Sequence, residues 1–294
     1  MSQYKKHGII LCLVILIVFL CSVPLFLKKD EKEEPMKQEN HVIAYLLKDD
    51  YLVEYPYISY ASTLEEKIME IAHTMMQDEF GFTPLMLENT IIEKVEIKDR
   101  IANIHFSILD YDLSKERKLL ESLIYSCTQF NEINAISLFL KGEVLNMMPK
   151  GGLLLENTTR SFGINAIDTN QLYLHEGNSA LIYYTKKINE KTFYVPRSIR
   201  VLKKDDYDEI FKCLLQNGNQ YLDAPLLKKH VISTKSPYYE DGILHLYVNR
   251  NILEGKEIHE TCKNVILKTF EAFKSIKMIQ IHIKDKVYDV NIIK

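Results

Sequence analysis

Between Ile91 and Gly142 the chain reads IIEKVEIK (Ile91–Lys98), Asp99-Arg100, IANIHFS (Ile101–Ser107), LLESLIYSCTQFNEI (Leu119–Ile133) and AISLFLKG (Ala135–Gly142). The first two runs are rich in β-branched residues and meet at a two-residue turn, the pattern of a hairpin. Leu119, Leu123, Ile124, Cys127 and Phe130 then recur at helical spacing, giving one apolar stripe. A last apolar run returns to strand character. Strand, strand, helix, strand is the core of a sheet covered on one side by helices.

About 140 residues later the same order is repeated. VISTKSPYY and ILHLYVN meet at Asp241-Gly242, and His105 and His245 fall 140 apart in the matching strands. Cys262, Ile266, Leu267, Phe270 and Phe273 answer the first helical stripe at an offset of 143, and IQIHIKDKV (Ile279–Val287) answers Ala135–Val144. Three extra residues near NRNILEGKE absorb the change of offset.

Upstream, each copy opens with two short strands. These are VIAYLL (Val42–Leu47) and YLVEYPYI around Pro56, against ALIYYT (Ala180–Thr185) and TFYVPRSI around Pro196. A proline cannot donate to a ladder, so both prolines predict a strand end or an open edge. A helix follows, capped by Thr63 with Glu66 in one copy and Asp206 with Glu209 in the other. Each helix leads to a Pro-Leu step, at Pro84 and Pro225. The unit is β-β-α-β-β-α-β, twice. The fold class expected is α+β, two similar sheet-on-helix domains over residues 42–165 and 166–294, behind one N-terminal transmembrane helix.

That helix is read from Gly8–Leu27, GIILCLVILIVFLCSVPLFL, twenty residues without a charge and long enough to span a bilayer. Residues 1–7 form a short basic tail with Lys5 and Lys6, and residues 28–41 a charged tether carrying Pro35. The basic head favours a single-pass anchor in the cell membrane with the large C-terminal part outside. No small-residue cleavage site follows the run, and Phe19 and Leu20 stand where a lipobox before Cys21 needs small residues. Uncleaved anchor, lipidated Cys21 and cleaved signal are the three fates weighed, and the anchor is the reading adopted.

The composition excludes other classes. The 294 residues are 47% hydrophobic with a net charge of −3, which fits a folded chain and gives no polybasic footprint for nucleic acid. Beyond the anchor the odd number of cysteines, Cys127, Cys213 and Cys262, predicts free thiols, with Cys127 a small core side chain.

The copies resemble the GerMN domain family, on VEIKDRIANIHFS, LLESLIYSCTQFNEI and AISLFLKG, with LLLENTTRSFGIN (Leu153–Asn165) similar to the tail that follows such a domain. The second copy departs at Lys284-Asp285, where the first has Lys141-Gly142. The resemblance implies a membrane-tethered envelope protein of sporulation or germination. Such domains look similar to the ring-building motifs of secretion-type assemblies, which act by binding neighbours. Expected partners are therefore the membrane and envelope or sporulation proteins, a ring-forming assembly among them, with peptidoglycan also open.

No residue is assigned as catalytic, cofactor-binding or metal-ligating. His105 and His245 read as strand-face residues without ligands at metal spacing. Asp110 and Asp112, and the cluster Asp205, Asp206, Asp208 and Glu209, precede helices and read as caps, with a weak calcium site the lesser reading. Gly151-Gly152 lacks a phosphate-loop fingerprint. The expected function is non-enzymatic docking, through exposed edges near Pro56 and Pro196 or at the last strand of each copy. The competing classes are a cell-wall-acting enzyme and a peptidoglycan- or small-ligand-binding module.

Overall fold

A computed structural model of the chain describes residues 40–78, 81–156, 158–166, 178–203, 205–216 and 222–292. The apolar run at Gly8–Leu27 and the tether up to residue 39 lie outside the described residues. Strand β1 (Asn40–Lys48) already starts within the stretch read as tether. Among the described residues no helix is long and apolar enough to cross a membrane.

The first copy runs β1, β2 (Tyr51–Ser59), α1 (Leu64–Thr74), β3 (Ile91–Lys98), β4 (Ile101–Ile108), α2 (Glu116–Cys127), β5 (Ala135–Leu140) and β6 (Glu143–Val144). The second runs β7 (Asn178–Ile188), β8 (Lys191–Val201), α3 (Tyr207–Gln216), α4 (Pro225–Lys228), β9 (Ser233–Glu240) and β10 (Ile243–Val248). It continues through β11 (Leu253–Glu254), β12 (Glu257–Ile258), α5 (Glu260–Glu271), β13 (Met278–Ile283) and β14 (Lys286–Asn291). The repeat is thus present with one addition. The closing run of each copy folds back on itself at Lys141-Gly142 and at Lys284-Asp285, so a further strand ends each unit. The small β11–β12 hairpin takes up the extra residues of the second copy.

Each copy builds a four-stranded sheet, ordered β3-β4-β5-β6 and β14-β13-β10-β9. The hairpins β3–β4 and β9–β10 are antiparallel, and a helix crossover then brings β5 parallel to β4 and β13 parallel to β10. At the hairpin turns both residues adopt positive φ: 52° and 63° at Asp99 and Arg100, 49° and 87° at Asp241 and Gly242. That twist suits a two-residue antiparallel connection. In β4 and β10 alternate residues point inward: Ala102, Ile104 and Phe106, and Leu244, Leu246 and Val248, are buried. His105 and His245 fall on the opposite face, as alternation requires.

The helices cover the inner face. Thr63 caps α1 by accepting from Glu66 N, while Glu66 returns the bond to Thr63 N, and Ile68, Ile71 and Ala72 are buried beneath. Asp206 accepts from Glu209 N at 3.0 Å and caps α3 in the second copy. Leu119, Leu123, Ile124 and Cys127 are fully buried from α2, as are Cys262, Ile266 and Phe270 from α5.

The opening hairpins do not join the sheets. β1–β2 and β7–β8 are separate two-stranded ribbons, and they form a third layer over the helices. The reason is visible in α2. Ser126 Oγ accepts from Tyr45 N, Ser122 Oγ donates to Tyr45 O, and Gln129 both accepts from Ile43 N and donates to Ile43 O. Hydroxyl and amide side chains of a helix thereby satisfy the free edge of β1, which would otherwise be a buried row of unpaired groups. The strands also run past their prolines, to Ser59 and Val201, with Pro196 paired to Tyr183 inside β8.

Candidate functional site

The most heavily built polar feature lies where the two copies meet. β2 and β8 pack beside each other without pairing as strands, and Pro196 is buried while Pro56 is exposed. Asn165 stands between the two strands, fully buried with φ 52°. Its Oδ1 accepts from Leu52 N at 2.8 Å, and its Nδ2 donates to Leu52 O and to Pro196 O, both at 2.8 Å. One side chain thus imitates a strand partner for β2 while binding β8. Its own N–H goes to buried Glu121 at 3.0 Å, and Lys118 reaches its Oδ1. Ile164 completes the stitch: its N–H donates to Ser198 Oγ and its carbonyl accepts from Ser198 N.

A second contact crosses the same seam. Glu54 of β2, 4% exposed, pairs with Lys268 of α5 at 2.6 Å. Tyr45 donates its hydroxyl to the same carboxylate, and the Lys268 ammonium lies 5.5 Å and 5.0 Å above the rings of Tyr183 and Tyr194. Burial, reinforced by the Glu54 charge, lifts the Tyr45 and Tyr183 hydroxyls well above the ordinary phenol range, so both stay protonated. Burial also raises Glu271, against the pull of Lys268. Apolar contacts flank the pair: Tyr55 stacks on Phe193 at 6.3 Å, and Phe82 meets the same ring edge-on at 5.8 Å. A seam with this many satisfied buried partners holds the two copies in one orientation.

The tail Leu153–Asn165 ties this seam to the first sheet. Leu153 N donates to Glu116, Ile136 N donates to Thr158 O, and Arg160 lies over the Tyr125 ring while donating to Thr128. Beside β6 the outer edge of β5 is therefore taken by Thr158 and Thr159. In the second copy β14 pairs along its whole length with β13, and among the described residues no strand covers its outer side.

The outer sheet faces carry both histidines, but not at matching places: counted from the hairpin turns, His105 corresponds to Tyr247 and His245 to Asn103. His105 stacks on Phe139 at 4.3 Å, and its Nε2 lies 3.1 Å from Glu96 Oε2, off the line of a hydrogen bond. His245 stacks on Tyr238 at 4.3 Å and faces His282, which stacks on Tyr247 at 4.4 Å. Phe139 and His282 occupy the same place in the two copies, so the imidazole pair belongs to the second alone. The sequence singled out His245 and passed over His282; the parallel pairing of β10 with β13 brings them together.

The other candidates serve the fold. Asp112 caps a short turn through Ser114 N, and Asp110 pairs with Lys150 at 2.7 Å. Asp205, Asp206 and Asp208 line a hollow of about 560 Å³ with Tyr207, Tyr238 and Tyr239, but Asp206 is spent on its cap and Asp208 on Lys212. Among the described residues no group of three or more His, Cys, Asp or Glu is placed to hold a metal ion. Gly151 N donates to Glu116 Oε2 at 2.6 Å, so the glycine pair cradles the protein's own carboxylate. Burial would raise that carboxyl, but bonds from Tyr111, Gly151, Leu153 and Lys150 outweigh it and hold it below the usual range. Cys127, Cys213 and Cys262 form no disulfide among the described residues, and burial pushes the Cys127 and Cys262 thiols up to about 12 and about 11.

Two sheet-on-helix units in series, each with a docked hairpin and joined through a polar seam, define a tandem α+β architecture without a convergent catalytic group among the described residues. Residues 30–146 match the Germane family, described as "Sporulation and spore germination". The chain is 25% identical over 223 residues to spore germination protein GerM of Bacillus subtilis (strain 168), a match covering 72% of this chain and 61% of that protein. It therefore spans less than two thirds of the relative's length. The solved tandem GerMN domains of the sporulation protein GerM from Bacillus subtilis superpose with a TM-score of 0.70 at 23% identity, covering 84% of this chain and 92% of that one. These likenesses show the fold, two GerMN-like domains in tandem, in a chain whose sequence is similar to that of GerM.

Proposed function

We propose that the chain is a non-enzymatic docking protein of the cell envelope, acting in sporulation or germination. Residues 8–27 anchor it in the membrane, residues 28–41 stand it off the bilayer, and the domains at 42–165 and 166–294 present their surfaces outside. The observation that carries this reading is the seam. Asn165 and the Glu54–Lys268 pair hold two similar domains at a set angle, which is what a bivalent adaptor needs to place two surfaces against an assembly. A reaction centre would instead spend buried polar groups on a cleft, and here they are spent on joining the copies.

The test is crosslinking of the full chain in a spore-forming host, with photoreactive residues placed along β14 and on the outer sheet faces. Defined envelope proteins captured from one face support docking. Peptidoglycan hydrolysis by the purified full chain, or crosslinks to wall fragments alone, would replace docking with the wall-acting reading.

A further inference from the structure

The imidazole pair of the second domain has a chemistry that the docking role does not use. His245 Nδ1 and His282 Nε2 lie 3.0 Å apart on the outer face of the sheet, on neighbouring parallel strands and two registers apart. Each ring is stacked on a tyrosine, Tyr238 within 12° of parallel to His245 and Tyr247 within 17° of His282. Both histidines are half-buried, so the pair is held and still reached by solvent.

We propose that His245 and His282 form a two-nitrogen chelate for a divalent transition-metal ion, which takes the place of the proton they otherwise share. Two nitrogens 3.0 Å apart, each at an imidazole–metal distance of about 2.0–2.1 Å, subtend about 95° at the ion. That angle is the cis edge of a tetragonal site, the geometry of Cu²⁺ and Ni²⁺, and is narrower than the tetrahedral angle Zn²⁺ takes in structural sites. The remaining positions are open, since no third His, Cys, Asp or Glu joins them among the described residues. The charged groups facing the pair are Lys235, whose ammonium lies over Tyr238 and Tyr247, and Asp289, which acts in the opposite direction. Burial, His245 and Lys235 hold His282 below the ordinary imidazole range. To face a common ion each ring swings about 40° off the nitrogen–nitrogen line, a motion its stacked tyrosine reports.

The first domain supplies the control. His282→Phe puts at that place the residue the first sheet has there, Phe139, opposite Tyr247, which stands where His105 does. The purified, untagged full chain is titrated calorimetrically with Cu²⁺, Ni²⁺ and Zn²⁺ and followed by the near-ultraviolet circular dichroism of its tyrosines. The expected result is one saturable site, tighter for Cu²⁺ than for Zn²⁺, weakened at least tenfold in both His282→Phe and His245→Gln, with a tyrosine signal that follows occupancy. His105→Gln leaves that site unchanged. Binding that is unaffected by His282→Phe in a variant keeping the parent's unfolding temperature, or no saturable site at all in the parent, overturns the proposal. Either result leaves the docking role standing, because that role is read from crosslinks and not from metal.

Discussion

Glu54 and Lys268 are 214 positions apart and meet at 2.6 Å, one on the hairpin of the first domain and the other on the last helix of the second. The carboxylate is buried and keeps a tyrosine hydroxyl as a second partner. Removing one member of such a pair leaves the other charge desolvated without compensation, which costs more than the pair contributes. Glu54→Leu or Lys268→Met is expected to lower stability by about 2–3 kcal/mol, near the low end because the lysine is partly solvated. The double replacement should recover most of that loss. Urea midpoints of the four proteins give the coupling; additive losses would show that the two residues do not act as a pair.

Asn165 should be harder to replace. Asn165→Ala strands the Leu52 N–H and carbonyl and the Pro196 carbonyl, and leaves a left-handed backbone at φ 52° without the amide side chain that stabilises it. A cost of about 3 kcal/mol is expected. Amide exchange at Leu52 distinguishes the cause: it should speed up before the sheets exchange, whereas uniform acceleration would mean the seam has no separate role.

At Gly151 a β-carbon would stand 2.5 Å from Glu116 Oε1 and 3.0 Å from the Leu113 side chain. Gly151→Ala must push the carboxylate out of its cradle, and a loss of about 2 kcal/mol is expected. A change under half of that in thermal unfolding would mean that the loop shifts freely.

Glu116 also sets a pH dependence. Its carboxyl is held below the unfolded value, so its contribution is complete above the ordinary glutamate range and is lost as pH falls through its lower folded pKa. The parent should lose stability on acidification below about pH 4.5, and Glu116→Gln should be less stable at neutral pH and flatter across that window. Parallel acid limbs for the two proteins would show that Glu116 contributes nothing to them.

Cys127 and Cys262 should resist N-ethylmaleimide in the native chain at pH 7.5, since burial disfavours both thiolates. Both should label fully in urea. Peptide mapping by mass spectrometry reads the two sites separately, and native labelling of Cys127 would contradict its place under the sheet.

Much of the fold was legible because local signals agreed with the global pattern. The Thr63–Glu66 cap, the Asp241-Gly242 turn and the stripe from Leu119 to Cys127 each follow from bonds or spacing within a few residues, and the repeat doubled every one of them. The histidine pair was half legible: His245 stood out by an offset of 140 from His105 that the strand registers do not keep, while His282 could be noticed only once β13 was known to lie beside β10.

What the sequence determined by itself was the order of strands and helices and which faces are apolar, because hydrophobic periodicity and turn chemistry are local. What the tertiary structure decided was where the prolines of β2 and β8 face, that Ser122, Ser126 and Gln129 satisfy a strand edge, and that Asn165 and the Glu54–Lys268 pair join the domains. Those are contacts between polar side chains far apart in the chain. No periodicity marks them, since a buried polar residue looks like a solvent-exposed one until its partner is in place.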